Sequence, residues 1–104
     1  FFDGNRFSPY MLLVVPVRES KKHIIPAVTH VDGTARVQVV NRAQNALYYD
    51  LISEFDRITG VPVILNTSFN VKGEPIVFTP EDAIKCFLKT DIDYLILENY
   101  IVKK

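Results

Sequence analysis

The run Val61-Pro62-Val63-Ile64-Leu65, set between Gly60 and the polar stretch Asn66-Thr67-Ser68-Phe69-Asn70-Val71-Lys72-Gly73-Glu74, constrains this chain more than any other feature. It is rich in β-branched residues and too short for a helix, so the pattern predicts a buried strand that ends abruptly at Asn66. A loop opening at the carboxyl end of a strand has polar groups outside the ladder, and in sheets covered by helices ligands settle there. Asn66, Thr67, Ser68 and Asn70 can each donate and accept hydrogen bonds, which suits a ribose hydroxyl, a carbonyl or a phosphate oxygen. The same residue types also satisfy ordinary turns through side-chain to backbone bonds, and the residues alone leave both readings open. None of the four is a nucleophile with an adjacent base.

The 104 residues allow one domain, 1–104, or a piece of one. A chain of this size buries roughly 65% of the surface it would expose unfolded. The opening Phe1-Phe2, without an initiator Met, suggests a segment of something longer. Lys and Arg total 12 and so do Asp and Glu, so no global field gathers nucleic acid or an anionic membrane, and neither partner is expected. An anion site would have to be built locally. The lone Cys86 excludes an internal disulfide and, with no signal-peptide pattern, points to a reduced, cytoplasmic protein.

Along the chain, residues 1–10 form an irregular lead whose Phe1, Phe2 and Phe7 rings need a surface to pack on. Residues 11–17 read as an interior strand, apolar on both faces. The charged loop 18–23 reads as a solvated connection, with Lys21, Lys22 and His23 as weaker candidates for an anion contact. Residues 24–31 and 34–40 flank Asp32-Gly33, a strong hairpin signal. In that hairpin Arg36 and Gln38 share the polar face, while Val28, Val37 and Val39 face the core. Arg36 is then either a solvent-facing side chain or a guanidinium held on a strand for phosphate or carboxylate. His30 reads as a hydrogen-bonded histidine, because no other ligand stands at metal-binding spacing.

Residues 45–59 carry Leu47, Tyr48, Leu51, Ile52, Phe55 and Ile58 on one side of an amphipathic helix, stopped by Gly60. Thr79-Pro80-Glu81-Asp82 opens a second helix with a cap, a proline at the first turn and two acids at the positive end of the dipole. Amides already faced by carboxylates make a poor phosphate cradle. Ala83, Ile84, Phe87 and Leu88 form its expected buried stripe, with Cys86 beside it as an inert filler. Residues 94–97 and 100–102 are the last strands, with Glu98-Asn99 closing a tight turn. The sum is a mixed α/β (α+β) protein, a twisted mixed β-sheet with two main helices.

Two stretches carry a likeness to a known family: Pro26-Ala27-Val28-Thr29-His30-Val31-Asp32-Gly33-Thr34-Ala35-Arg36-Val37-Gln38 and Leu65-Asn66-Thr67-Ser68-Phe69-Asn70-Val71-Lys72-Gly73-Glu74-Pro75-Ile76-Val77. Their wording resembles the C-terminal domain of ATP-dependent O-carbamoyltransferases, of the nodulation-protein and antibiotic-tailoring type. The resemblance extends from about Ser8-Pro9-Tyr10-Met11 through Thr79-Pro80-Glu81-Asp82-Ala83 to the end. It implies a fold similar to part of a YrdC-like domain, and a carbamoyltransferase as the parent enzyme.

What the resemblance further implies is a reaction. The C-terminal domain makes carbamoyl-adenylate from carbamoyl phosphate and ATP, with Mg as the nucleotide's companion. A separate kinase-like N-terminal domain, which carries the family's metal site, passes the carbamoyl group to a hydroxyl acceptor. By the motif match Arg36, Asn66 and Ser68 would contact the nucleotide and phosphates, Arg36 in a catalytic role, with Thr67 and Asn70 weaker candidates and no metal ligand in this chain. The Gly-Pro-Arg stretch that the family uses upstream for the phosphates is not in this sequence. The isolated chain is therefore expected to fold, to bind ATP weakly and to be inactive. A non-catalytic nucleotide-binding or domain-docking module is the alternative.

Overall fold

A computed structural model describes residues 1–4 and 8–104, and these fall into two compact units, Phe1–Leu65 and Asn66–Lys104. Both contain helix and antiparallel strand, so the chain is a small mixed α/β protein as its sequence predicts.

In the first unit, β1 (Leu13–Pro16) pairs antiparallel with β2 (Thr34–Val37), placing Leu13 opposite Val37 and Val14 opposite Arg36. The hairpin expected around Asp32-Gly33 is not formed. The turn is there, since Gly33 N donates to His30 O at 2.9 Å and the Asp32 carboxylate accepts from Thr34 N and Thr34 Oγ1. Its first arm, however, curls into a 3₁₀ turn at Pro26–Val28. Pro26 has no N–H to give a ladder and its fixed φ favours a turn, which Thr29 Oγ1 braces by donating to Ile25 O at 2.8 Å. The partner of β2 is therefore β1, across a much longer loop.

Strand alternation then sorts the side chains. Val15 and Ala35 are buried on one face, and Val17 and Ile25 close a core with Ala35 against which Phe1, Phe2, Val28, Val37, Val61 and Val63 pack. The two Phe rings thus find the surface they need, while Phe7 lies outside the described residues. Phe2 bridges Val17, and Lys21 Nζ lies 5.1 Å from the Phe1 ring centroid. On the opposite face Leu12 and Val14 are exposed, so β1 is not apolar-covered on both sides as its composition suggests.

Helix α1 (Ala46–Thr59) starts at Asn45, whose side chain accepts from Tyr48 N, and ends at Gly60 with φ +73°. The run 61–65 that follows has no ladder partner, so the strand expected there is absent. Val61 and Val63 still send their side chains into the core. Their spacing serves burial rather than pairing.

In the second unit, α2 (Pro80–Leu88) is closed by a capping box: Thr79 Oγ1 accepts from Asp82 N, and the Asp82 carboxylate accepts from Thr79 N. Strands β3 (Tyr94–Leu97) and β4 (Tyr100–Lys103) form the expected tight hairpin through Glu98-Asn99. Ala83, Phe87 and Leu95 are the buried core, flanked by Phe69, Val77, Leu97 and Val102. Cys86 joins the buried stripe of α2, whereas Ile84 and Leu88 are exposed.

Candidate functional site

The loop at the head of the second unit is built around Asn70. Its Nδ2 donates to Glu74 O at 3.1 Å and to Val71 O at 3.3 Å, and Glu74 N donates to Val71 O at 2.9 Å. Gly73 takes φ +85° within that turn, and Val77 N donates to Phe69 O to close its base. Lys89 Nζ pairs with Glu74 Oε1 at 2.6 Å and fastens the loop to the end of α2. Asn70 is thus a turn staple. Before it, Asn66, Thr67 and Ser68 are exposed in sequence, and the Thr67 and Ser68 hydroxyls have no hydrogen-bond partner among the described residues. The two hydroxyls are neutral groups presented to solvent on a stapled loop.

Arg36 lies in the first unit. It is exposed on β2, flanked in sequence by Ala35 and Val37 on the inner face and opposite Val14 on β1. Arg18 pairs with Asp3, Arg42 with Asp50 and Arg57 with Glu54. Among the described residues, Arg36 alone of the arginines has no ion pair or hydrogen bond. A guanidinium carried by a laddered strand and left uncommitted is suited to an oxyanion from outside the chain.

The inner face of the same ribbon borders a hollow of about 440 Å³ lined by Val15, Val37, Gln38, Tyr49, Ile52 and Asp56, among others. Alternation puts Arg36 on the other face from Val15 and Val37. The half-buried Asp56 carboxylate in the hollow has no ion pair among the described residues. A carboxylate without a counter-charge repels phosphate, so the hollow is a poor anion site.

The turn beside Arg36 also holds a hydroxyl, an imidazole and a carboxylate. Thr34 Oγ1 donates to Asp32 Oδ1 at 2.7 Å, and His30 Nδ1 stands 3.0 Å from the same hydroxyl. With the Thr34 proton committed to Asp32, the imidazole must be the donor there. The hydroxyl's proton is thus directed away from the imidazole, and the cluster braces the turn instead of activating a nucleophile. The Thr34 hydroxyl and amide hold the Asp32 carboxyl below the usual carboxylate range. Among the described residues no three His, Cys, Asp or Glu side chains group as a metal site.

Fold and side chains together define a small mixed α/β protein whose described residues present hydrogen-bond donors and, at Arg36, an uncommitted guanidinium. The sequence comparison gives that class its family: residues 1–104 match the family described as carbamoyltransferase C-terminus, and the chain belongs to it. It is 52% identical over 102 residues to nodulation protein NolNO of Sinorhizobium fredii, covering 98% of this chain and 15% of that protein. Against nodulation protein NolO of Bradyrhizobium diazoefficiens the identity is 50%, over 98% of this chain and 19% of the relative. A third relative, a 3′-hydroxymethylcephem-O-carbamoyltransferase of Amycolatopsis lactamdurans, is 45% identical over 76 residues, 73% of this chain and 14% of its own length. The chain thus spans a fifth or less of the curated relatives it matches.

Proposed function

We propose that this chain is part of the carbamoyl-adenylate-forming portion of a cytoplasmic O-carbamoyltransferase, which uses carbamoyl phosphate and ATP. The carbamoyl group then passes to a hydroxyl acceptor on a separate N-terminal domain of the same parent chain. The observation that carries this reading is Arg36, the one unpaired arginine among the described residues, on a family member of this kind.

Water first releases phosphate from carbamoyl phosphate to leave carbamate, and a carbamate oxygen then attacks the α-phosphorus of ATP while pyrophosphate leaves. Negative charge builds on the phosphoryl oxygens in the transition state, so fixed donors and a cation do most of the work. Arg36 supplies the cation and is the catalytic candidate. Asn66, Ser68 and Thr67 supply neutral donors, and Asn70 shapes the loop that presents them. Mg bound to ATP would neutralise part of the charge on its phosphates. No ligand set for a metal is drawn from this chain's described residues. The 104 residues alone are inactive on this reading, because the rest of the nucleotide site lies in the parent.

The test is Arg36→Ala, Asn66→Ala and Ser68→Ala, each made in the full-length parent and assayed for carbamoyl-adenylate. Removing a charge-assisted contact at Arg36 is expected to weaken turnover by about ten- to a hundredfold. Arg36→Lys is expected to restore it only in part, since an ammonium cannot make the bidentate contact. Adenylate formation undiminished in folded Arg36→Ala protein would sink the catalytic assignment and favour a docking module.

A further inference from the structure

The polar loop of the second unit holds two charged residues, Lys72 and Glu74, and the fold treats them differently. Glu74 N donates to Val71 O, and Gly73 between them takes φ +85°, so residues 71–74 close a turn whose third place needs a left-handed backbone. Lys72 stands exposed at its corner, with no ion pair or hydrogen bond among the described residues. Glu74 is committed instead, its Oε1 accepting from Lys89 Nζ at 2.6 Å.

Lys89 is the fixed end of that clasp. It caps the C-terminus of α2, where its N–H bonds to Lys85 O and Cys86 O and the negative end of the helix dipole favours a cation. Phe87, two residues earlier, is fully buried, so the helix end is held by the core. The hydrogen bond to Glu74 and the carboxylate's charge raise the Lys89 ammonium above its ordinary range. The bonds that shape the loop are by contrast local, from Asn70 Nδ2 to Val71 O and Glu74 O and from Val77 N to Phe69 O. Among the hydrogen bonds of the described residues 70–77, the clasp alone reaches a helix.

The clasp also sets the charge of the loop. With Glu74 neutralised by Lys89, what remains on residues 66–74 is the cation of Lys72 among neutral groups. Were the clasp broken, the Glu74 carboxylate would cancel Lys72, two residues away, and repel a phosphate oxygen.

We propose that Glu74 and Lys89 are positioning residues for the nucleotide: their clasp holds the loop that presents Thr67 and Ser68 and leaves it a net cation toward the phosphates of ATP. The proposal rests on the adenylate reading above. The two side chains are 46% and 57% exposed, and an exposed pair adds little to global stability, so its removal leaves the fold standing.

The experiment places Lys89→Met, Glu74→Gln and Lys89→Arg in the full-length parent and follows carbamoyl-adenylate formation against ATP concentration. Lys89→Met is expected to raise KM for ATP about two- to fivefold with kcat unchanged. Glu74→Gln should raise it less, because the repelling carboxylate goes with the clasp. Lys89→Arg should stay near wild type, since a guanidinium can still meet the carboxylate. A pair that served stability alone would lower the active fraction, and hence kcat, and leave KM as it is. Without ATP, amide exchange in residues 70–77 should quicken in Lys89→Met while that of α2 does not. With the wild type making adenylate, an unchanged KM or unchanged exchange in Lys89→Met, or a larger rise in Glu74→Gln, would overturn the proposal alone. A wild-type parent that makes no adenylate would remove the adenylate reading, and the proposal with it.

Discussion

Gly33 sits at φ +81°, and a β-carbon added there would lie 2.7 Å from Lys22 Nζ. The lysine end can move away, but the left-handed backbone cannot be relieved for an L side chain. Gly33→Ala should therefore cost about 1–2 kcal/mol, read as a lowered denaturant midpoint. An unchanged midpoint would mean the turn relaxes to negative φ. On either side of it, Asp32 and Thr34 lock the reversal that Asp32-Gly33 announces in the sequence. What that signal does not encode is which strand lies alongside Thr34. Arg36 was nonetheless legible: side chains alternate whatever the partner, so Ala35 and Val37 turn in and Arg36 turns out. Its lack of a counter-ion was not legible, because ion pairs depend on which acids the fold brings near. Asn70 carries a related ambiguity, since a short polar side chain in a loop reads alike in sequence whether it meets a ligand or, as its Nδ2 does here, its own turn.

At the level of elements, the two helix starts were the most readable features. Asn45 and Thr79 cap where their side chains can reach amides three residues on, a purely local geometry. Thr79→Ala should cost about 1 kcal/mol and speed amide exchange in the first turn of α2. The capping box also makes α2 acid-sensitive. The Thr79 hydroxyl and amide hold the Asp82 carboxyl below its ordinary range. A depressed folded pKa means that its contribution is fully present above the ordinary value of about 3.9 and fades as pH falls through the lower folded value. Denaturation midpoints followed from pH 6 to about 3 should drop less steeply in Asp82→Asn than in the wild type, and parallel curves would remove Asp82 from the acid transition. Strand assignments fared worse where they needed a distant partner. Residues 61–65 have strand-like composition without a ladder, whereas β3 and β4, joined by a two-residue turn, find each other locally.

For the molecule as a whole, each unit rests on a few buried side chains. Ile25 anchors the first and Phe87, fully buried, the second. Ile25→Ala is expected to cost about 2–5 kcal/mol and Phe87→Ala about 3–5 kcal/mol. Hydrogen exchange should show protection lost first in the unit that carries the change. Simultaneous loss across both units would show that they unfold as one. The class of fold was legible because helix caps and alternating strands are local signals. The exposure of Leu47, Leu51 and Ile58 on α1 was not, because an amphipathic stripe looks the same in sequence whatever covers it.

Cys86 is 3% exposed, between Ala83 and Phe87 on the buried side of α2. As the sole sulfur nucleophile in this chain, it is a natural clock for the breathing of the second unit. A bulky alkylating reagent can reach it only in molecules whose α2 has lifted away, so the modification rate counts those excursions directly.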